Sequence, residues 1–338
     1  IPAGRSHQTN DRTAAPNLDV VPRHAAGKWY RYHHLFRDLL RPRSAQQYGP
    51  PVVSELHARA GAWNAENGLV DEALDHLLVA NHQTAAAGLV ARHRTQKLNQ
   101  ARWSRLERWL RRVSPDVIDQ YPDLLILKTW LLYHQTRFAE LPASLERLEA
   151  SLARVALAPE TLDYLQGEMD AVRSLLAYFA VDTQATIIHA QGSLAKTRPD
   201  FWIVRSLARL TLALARQMEG DLQGAYAAIY DGFAQEEVSS PAFKATLLVT
   251  ACNVHWMAAD LQGLAQAASQ CIEQSQGAES PEIGNYGHYH LGRVFYQHND
   301  LPAAGRHFST VWKQPYLSYG DCFLYSACGL ALTHQAQG

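Results

Sequence analysis

Apolar residues recur along most of this chain with the period of an α-helix, and short polar turns separate the apolar-periodic stretches. From residue 51 to the end, no stretch shows the apolar–polar alternation that is typical of a half-buried strand. The pattern therefore predicts an all-α arrangement over this range, with helix following helix.

The first 48 residues follow a different pattern. Residues 17–22 and 29–33 have strand-like composition and flank a glycine-containing loop, which predicts a β-hairpin. Apolar residues between positions 35 and 40 then share one face of a short helix, and we expect Pro42 to end it. Residues 1–16 are polar and mixed, which indicates a flexible segment.

A turn motif recurs between the predicted helices: a small or polar residue, an acidic or polar residue, then an apolar residue that opens an Ala-rich helix. Successive apolar positions are separated by 33, 35, 45, 39, 39 and 40 residues. This spacing predicts about seven helical hairpins that bury their apolar faces by stacking on one another. The apolar positions, called hinge residues below, are Val70, Trp103, Phe138, Thr183, Leu222, Leu261 and Leu301, of which Thr183 fits least well.

The last hairpin fits the tetratricopeptide pattern best. Its first helix carries Leu291, Gly292 and Phe295, and its second carries Ala304 and Phe308. Small residues at two of these positions let neighbouring helices approach closely, while the phenyl rings fill the space between them. The predicted fold is a tetratricopeptide-like, right-handed helical-repeat superhelix with a small N-terminal hairpin-and-helix remnant.

Composition argues against several functional classes. The formal net charge is −1, which gives no general attraction to nucleic acid, and no apolar run is long enough to span a membrane. The first residues lack the apolar core of a secretion signal. We expect a cytoplasmic protein whose cysteines are buried, reduced thiols, with a structural zinc site as the alternative. The cysteines are Cys252, Cys271, Cys322 and Cys328.

Motifs for catalysis are missing from the sequence. No GxSxG or GxxxxGK[ST] occurs, and the Gly27–Lys28 pair lacks the rest of a phosphate-binding loop. His288 and His290 lie two residues apart on a predicted helix, so they point in different directions and do not chelate a metal together. We therefore predict neither a catalytic nor a metal site, and not an enzyme.

Three sequence blocks carry a family resemblance: WYRYHHLFRDLLRPR at 29–43, LHARAGAWNAENGLVDEALDHLLVA at 56–80, and the segment from WSRLERWLRR to YHQTRF at 103–138. They resemble MalT-like LuxR-family transcription regulators, which are signal-transduction ATPases. The resemblance implies an ATPase module, a winged helix, a helical superhelix that binds an inducer, and a C-terminal helix-turn-helix domain that binds DNA. Residues 17–48 are then the remnant of the winged helix, and 49–338 are the sensor superhelix.

The resemblance implies ATP and DNA binding for a parent protein only. This chain has no phosphate-binding loop, and no DNA-reading helix-turn-helix follows its last repeat. We therefore expect no cofactor in this chain and no direct contact with DNA. Its expected partners are a small-molecule effector or a regulatory protein, together with other domains of the parent.

Eight basic residues lie between positions 92 and 112, Arg94 among them. A solvated helix face is the plain interpretation, docking of another domain is a second, and DNA contact is a third. The candidate docking residues are Arg102, Arg105, Arg108 and Arg112.

A second candidate site lies in the later repeats. The tetratricopeptide register places a stripe of aromatic and polar residues on the concave side of two successive first helices. Aromatic rings with a few directional donors suit sugars, nucleotides or peptides, although packing against the next repeat is the alternative. The predicted ligand-binding residues are Tyr286, Tyr289, Arg293, Tyr296, Asn253 and Trp256.

The function that these features favour is effector sensing within a bacterial transcription activator. The second hypothesis is a protein-interaction scaffold that binds a peptide or helix in its groove, without a small-molecule ligand.

Overall fold

The structure is a computed structural model that describes residues 20–22, 30–32, 34–234, 241–276, 282–315 and 320–338. The predicted flexible segment 1–16 and the loop between the two predicted strands lie outside the described residues.

Two short strands form the N-terminal hairpin. Strand β1 (Val20–Pro22) pairs antiparallel with β2 (Tyr30–Tyr32), so that Val20 lies opposite Tyr32. The sequence prediction of a hairpin is confirmed for these residues.

Helix α1 (His34–Glu66) follows the hairpin and continues past Pro42, so the prediction that Pro42 ends the helix is wrong. A proline inside a helix removes one backbone hydrogen bond and commonly kinks the helix rather than stopping it. The interruption comes at Gly49, whose φ of 74° and ψ of 161° are not helical. Pro50 and Pro51 come next, and proline suits the first turn of the helical segment that resumes there.

The rest of the described chain is helical, as predicted. The helices are α2 (Val70–Val79), α3 (Gln83–Asn99), α4 (Trp103–Leu110), α5 (Pro115–Ile118), α6 (Pro122–His134), α7 (Leu141–Leu152), α8 (Pro159–Phe179), α9 (Thr183–Lys196), α10 (Trp202–Met218), α11 (Leu222–Ala234), α12 (Pro241–Met257), α13 (Leu261–Ser275), α14 (Glu282–Gln297), α15 (Leu301–Trp312) and α16 (Gly320–Gln337), with a 3-10 turn at Phe138–Glu140.

The helices form two compact units. The first comprises residues 1–89 and 112–114, and in it α1 packs tightly on α2, since a Cβ atom added at Gly61 would lie 2.8 Å from the Leu77 side chain. The second comprises residues 90–111 and 115–338. Within it, one continuous apolar core runs from Ile187 in α9 to Cys322 in α16, as expected of stacked repeats.

Every predicted hinge residue is the first residue of a helix or, at Phe138, of the 3-10 turn before α7. The residue two positions before each hinge residue has a positive φ, which reverses the chain between the two helices. These residues are Gly68, Ala101, Thr136, Val181, Gly220, Ala259 and Asn299. The period found in the sequence is therefore the period of the turns.

The acidic residue of the turn motif caps the second helix in the last four hairpins. Each aspartate accepts a hydrogen bond from the backbone N–H three residues later, at 2.8–3.0 Å. This bond satisfies one N–H group that the helix itself leaves without a partner. The four caps are Asp182, Asp221, Asp260 and Asp300.

The tetratricopeptide signature of the last hairpin is confirmed by its packing. A Cβ atom added at Gly292 would lie 2.6 Å from the Phe308 ring, and the same ring would meet a Cβ atom at Gly329 of α16 at 2.6 Å. Phe308 is buried between these helices, and Ala304 is fully buried on the same helix. Gly292 and Gly329 are both needed, because a larger side chain at either position would displace the Phe308 ring.

Candidate functional site

Helices α12 and α14 bring five of the six predicted ligand-binding residues together. The guanidinium carbon of Arg293 lies 3.2 Å from the ring centroid of Trp256 and 5.1 Å from that of Tyr289. The Tyr286 hydroxyl donates a hydrogen bond of 2.7 Å to Oδ1 of Asn253, which joins the two helices. We call Arg293, Trp256, Tyr289, Tyr286 and Asn253 the Arg293 cluster.

Burial differs within this set. Tyr286 is 7% exposed and Tyr289 is 9% exposed, so the packing alternative describes these two rings. Arg293, Trp256 and Asn253 are half-buried. Tyr296 is also half-buried and packs against the apolar core of the second unit. Ligand binding by these residues stays a prediction.

Arg293 is a half-buried cation without a polar partner. It makes no hydrogen bond and no ion pair with any residue in the described part of the chain, and its guanidinium lies over the two aromatic rings. Burial lowers its pKa below the usual value, while the neighbouring Tyr289 and Tyr286 oppose that shift. A guanidinium nevertheless stays charged at neutral pH, so a positive charge is held against aromatic faces.

His290 adds an unmet polar group beside the cluster. Its side chain is 1% exposed, and neither ring nitrogen has a hydrogen-bond partner among the described residues. The imidazole centroid lies 4.7 Å from that of Tyr286 and 4.8 Å from that of Tyr289. Burial, helped by the nearby Arg293 charge, lowers the pKa of His290 to about 3, so the imidazole is neutral and offers one donor and one acceptor.

Sequence reasoning missed Tyr325, which extends the cluster onto α16. Its ring stacks on Tyr289 with centroids 6.3 Å apart and planes 23° apart, while 59% of the residue stays exposed. The signal was present in the sequence. Tyr325 lies 39 residues after Tyr286, and Leu332 lies 39 residues after Arg293, so both occupy the equivalent positions one repeat later. Leu332 is 49% exposed.

A closed cavity at the Arg293 cluster would favour a small ligand. Four surface pockets in the second unit have volumes of about 340, 380, 610 and 480 Å³. None of the four is lined by a residue of the Arg293 cluster. The cluster thus offers a stacking surface with a cation rather than one of these cavities.

The basic run divides into residues with different environments. Arg102, Arg105 and Arg108 lie on the exposed face around α4 in the second unit, whereas Arg112 pairs with Asp75 within the first unit. A docking role for the four arginines stays a prediction.

The interpretation of the basic run as a solvated helix face is wrong for Arg94. It is 5% exposed, and its guanidinium donates hydrogen bonds of 2.9 and 2.7 Å to Glu168 and one of 3.0 Å to Asp123. Although burial opposes its charge, these carboxylates raise the pKa of Arg94. The partners lie 29 and 74 residues away in sequence, so the local charge pattern did not reveal them.

In three hairpins, a pair of polar side chains joins the two helices at the same position of the repeat. The two residues of each pair lie 19 apart in sequence. The Nδ1 atoms of His57 and His76 lie 2.8 Å apart, those of His288 and His307 lie 2.9 Å apart, and His189 Nδ1 lies 3.1 Å from Asp170. In these three hairpins, a histidine six residues after the hinge residue lies opposite a polar residue of the first helix. The pairs lie in the first, fourth and last hairpins.

One chain of hydrogen bonds has the appearance of a proton relay. His255 Nδ1 lies 2.8 Å from Asp260 Oδ2, and its Nε2 lies 3.0 Å from the Tyr230 hydroxyl. Burial and the neighbouring Tyr226 and Asp260 raise the pKa of Tyr230, which keeps the phenol protonated and a poor nucleophile. The arrangement therefore supports packing between α11, α12 and α13 rather than nucleophilic chemistry.

Within the ranges that the structure describes, no three His, Cys, Asp or Glu side chains group closely enough to hold a metal ion. Cys252, Cys271 and Cys322 are buried as expected, but Cys328 is exposed, so that part of the prediction is wrong. A hydrogen bond with Cys271, together with burial, raises the pKa of Cys252. No helix in the described ranges combines the length and apolar character needed to cross a membrane.

Comparison with known proteins gives one family and several relatives. The family model of the MalT winged helix domain matches residues 2–51, which include the predicted remnant. The chain is 32% identical over 152 residues to the serine/threonine-protein kinase PknK of Mycobacterium tuberculosis, covering 45% of this chain and 14% of the kinase. It is 28% identical over 152 residues to the HTH-type transcriptional regulators MalT of Cronobacter sakazakii and Yersinia enterocolitica, covering 45% of this chain and 16% of each regulator.

Proposed function

We propose that the helical repeats of this chain are the effector-sensing region of a MalT-like bacterial transcription activator. The match of residues 2–51 to the MalT winged helix domain and the similarity to two MalT regulators support this proposal. In this proposal the winged helix precedes the sensor, and the Arg293 cluster binds the effector. Binding shifts the parent protein between inactive and active forms because the effector prefers one of them.

The relatives support an input role for the parts of this chain that they match. A kinase and transcription regulators match the chain over segments of the same length, 152 residues, although their names describe different outputs. The matched part is at most 16% of these relatives, so ATP binding and DNA binding are proposed for a parent protein only. A cytoplasmic location is part of the same proposal.

One observation carries the choice of site: Arg293 stacks on Trp256 at 3.2 Å while no described residue supplies it with a hydrogen bond or an ion pair. Arginine on an aromatic face combines stacking area with unused directional donors, which is what recognition of a polar ligand needs. The exposed ring of Tyr325 adds a second stacking surface next to it.

A thermal-shift screen of sugars, nucleotides, amino acids and organic acids tests this proposal. A ligand that binds only the native state at 100 times its Kd stabilises the protein by about 2.7 kcal/mol. We expect at least one compound class to raise the melting temperature, and Arg293→Ala to reduce that rise while Arg306→Ala, on the exposed face of α15, does not. Equal rises in both variants would exclude the Arg293 cluster as the site.

A peptide-binding scaffold is the second candidate, and one observation favours it. Helix α16 exposes Leu324, Tyr325 and Leu332, which are 62%, 59% and 49% exposed. Exposed apolar side chains of this kind serve to dock an amphipathic segment. If Leu332→Asp abolishes capture of a regulatory protein while small molecules never shift the melting temperature, the scaffold function is the correct one.

The basic residues Arg102, Arg105 and Arg108 are proposed as a docking surface for another domain of the parent. Direct DNA contact is the competing use of these three arginines. A mobility-shift titration at two salt concentrations separates them, because phosphate contacts lose affinity steeply as salt rises.

A further inference from the structure

The half-buried guanidinium of Arg293 differs in its surroundings from those of Arg94 and Arg147. Arg94 is buried against two carboxylates, and Arg147 pairs with Asp119 at the surface. Arg293 lies over the rings of Trp256 and Tyr289, and within the described residues it makes no hydrogen bond or ion pair, so the N–H donors at the edge of the guanidinium plane are unused there. A desolvated cation with unused donors is a ready receptor for an acceptor group.

Among the described residues, no carboxylate acts electrostatically on Arg293. The described side chains that do so are the phenols of Tyr289, Tyr286 and Tyr325 and the thiol of Cys322. His290, beside them, is neutral. Within the described residues, the Arg293 cluster is therefore a cation beside aromatic rings, with no carboxylate that competes with an anion.

We propose that the effector bound by the Arg293 cluster is a small organic oxyanion, whose carboxylate or phosphate group is held by the fork of Arg293. The body of the molecule lies along the exposed ring of Tyr325, which continues the stack of Tyr289. A planar guanidinium matches two oxygens of either group with parallel hydrogen bonds. A neutral ligand leaves the positive charge of Arg293 uncompensated. This inference rests on the proposed function of the cluster as the effector site and names the class of effector.

The test compares probes that differ only in charge, titrated into the purified chain by calorimetry. The pairs are glucose with glucose 6-phosphate or glucuronate, and benzamide with benzoate. The variants are Arg293→Gln and, as a control with the same loss of charge, Arg306→Gln, whose side chain is exposed on α15. We expect the anionic member of at least one pair to bind, and Arg293→Gln to weaken it about 10- to 100-fold, the range for a hydrogen bond to a charged group. Arg306→Gln should leave the affinity unchanged.

A second measurement keeps the test valid if Arg293→Gln unfolds. The indole N–H resonance of Trp256, assigned by its loss in Trp256→Phe, should shift when the anionic probe is added to the unsubstituted chain. An unperturbed Trp256 resonance on saturation with a bound anion would place that anion elsewhere and overturn the proposal.

The remaining outcomes separate this inference from the proposed function. If the neutral member of a pair binds as tightly as its anionic partner, and Trp256→Phe weakens both, the effector site stands and the oxyanion inference is wrong. If no anion binds up to millimolar concentration, the inference is also wrong. If ligands of any charge bind equally to Arg293→Gln and the unsubstituted chain, both proposals fail.

Discussion

Arg94 and Glu168 form a buried, bidentate ion pair that joins α3 to α8 within the second unit, with N–O distances of 2.9 and 2.7 Å. Glu168 is fully buried, and its carboxylate also accepts a hydrogen bond of 2.8 Å from Trp130 Nε1 in α6. Three helices that are distant in sequence thus share one polar junction. Removing one partner of a buried ion pair leaves an uncompensated buried charge, which strongly lowers the free energy of unfolding.

Arg94→Met should therefore destabilise the second unit by about 3–5 kcal/mol, because Glu168 keeps its charge without its main partner. The double variant Arg94→Met/Glu168→Gln should lose less than the single variant, since no charge is then stranded and glutamine still accepts from Trp130. Urea denaturation followed by circular dichroism measures both. The control is Arg147→Met, whose pair with Asp119 is exposed and should contribute at most about 1 kcal/mol. A double variant no more stable than Arg94→Met would contradict this account.

The pair also shows where sequence reasoning reached its limit. The repeat period, the turns and the tetratricopeptide packing around Gly292 follow from local patterns, and all were predicted. Arg94 was grouped with its basic neighbours, because its acidic partner lies 74 residues away and no local signal connects them. The prediction that Pro42 ends the helix was also wrong. A helix can continue past a proline although one backbone hydrogen bond is missing there.

Acid should destabilise the last hairpin through the His288–His307 pair. Burial lowers the pKa of His288, and burial with the charges of His288 and Arg306 lowers the pKa of His307 to about 4. The unfolded chain, with histidine pKa values near 6.5, binds more protons below that pH. Stability is thus fully present above pH 6.5 and declines as the pH falls toward 4, by about 1–3 kcal/mol.

Melting temperatures recorded from pH 8 to pH 4 measure this loss. His307→Phe removes the titrating ring while keeping an aromatic group against Phe295, on which His307 stacks at 5.3 Å. The variant should show a shallower decline than the unsubstituted chain, whereas His298→Gln, on the exposed turn after α14, should decline in parallel with it. Superimposable curves for all three proteins would show that the pair does not control acid stability.

The turn residue Val181 should be a weak point of the fourth hairpin. Its φ is 61°, a left-handed value that a β-branched residue rarely adopts, and its side chain is 69% exposed. Asn299 occupies the equivalent turn of the last hairpin with φ 59°, and asparagine tolerates this region. Val181→Asn should therefore stabilise the protein and Asn299→Val should destabilise it, each by about 1 kcal/mol. Thermal denaturation measures both, and changes of the same sign would contradict the backbone argument.

The candidate site was predictable in part. Helical spacing placed Tyr286, Tyr289 and Arg293 on one stripe, and the structure brings them together with Trp256 and Asn253. The burial of Tyr286 and Tyr289 was not predictable from the periodicity of α14, because it depends on contacts with other helices, such as those of Tyr286 with Asn253 and of Tyr289 with Tyr325. His290 is also buried, without a hydrogen-bond partner among the described residues.

His290→Leu should stabilise the free protein. Leucine has about the volume of histidine and no polar atoms, and an imidazole that is buried without hydrogen bonds carries a desolvation penalty of about 1–3 kcal/mol. The expected gain is about 1 kcal/mol after imperfect packing against Tyr286 and Tyr289. His298→Leu, at an exposed position, should bring no gain.

The two possible results for His290→Leu have different meanings for the site. A gain in melting temperature together with weaker binding of an anionic ligand would indicate that His290 is kept for recognition at the expense of stability, as polar groups in binding sites often are. A gain with unchanged binding would leave His290 as an imperfection of the core. A loss of more than about 1 kcal/mol would show that the ring nitrogens are satisfied in solution, because removing an unsatisfied polar group does not destabilise a core.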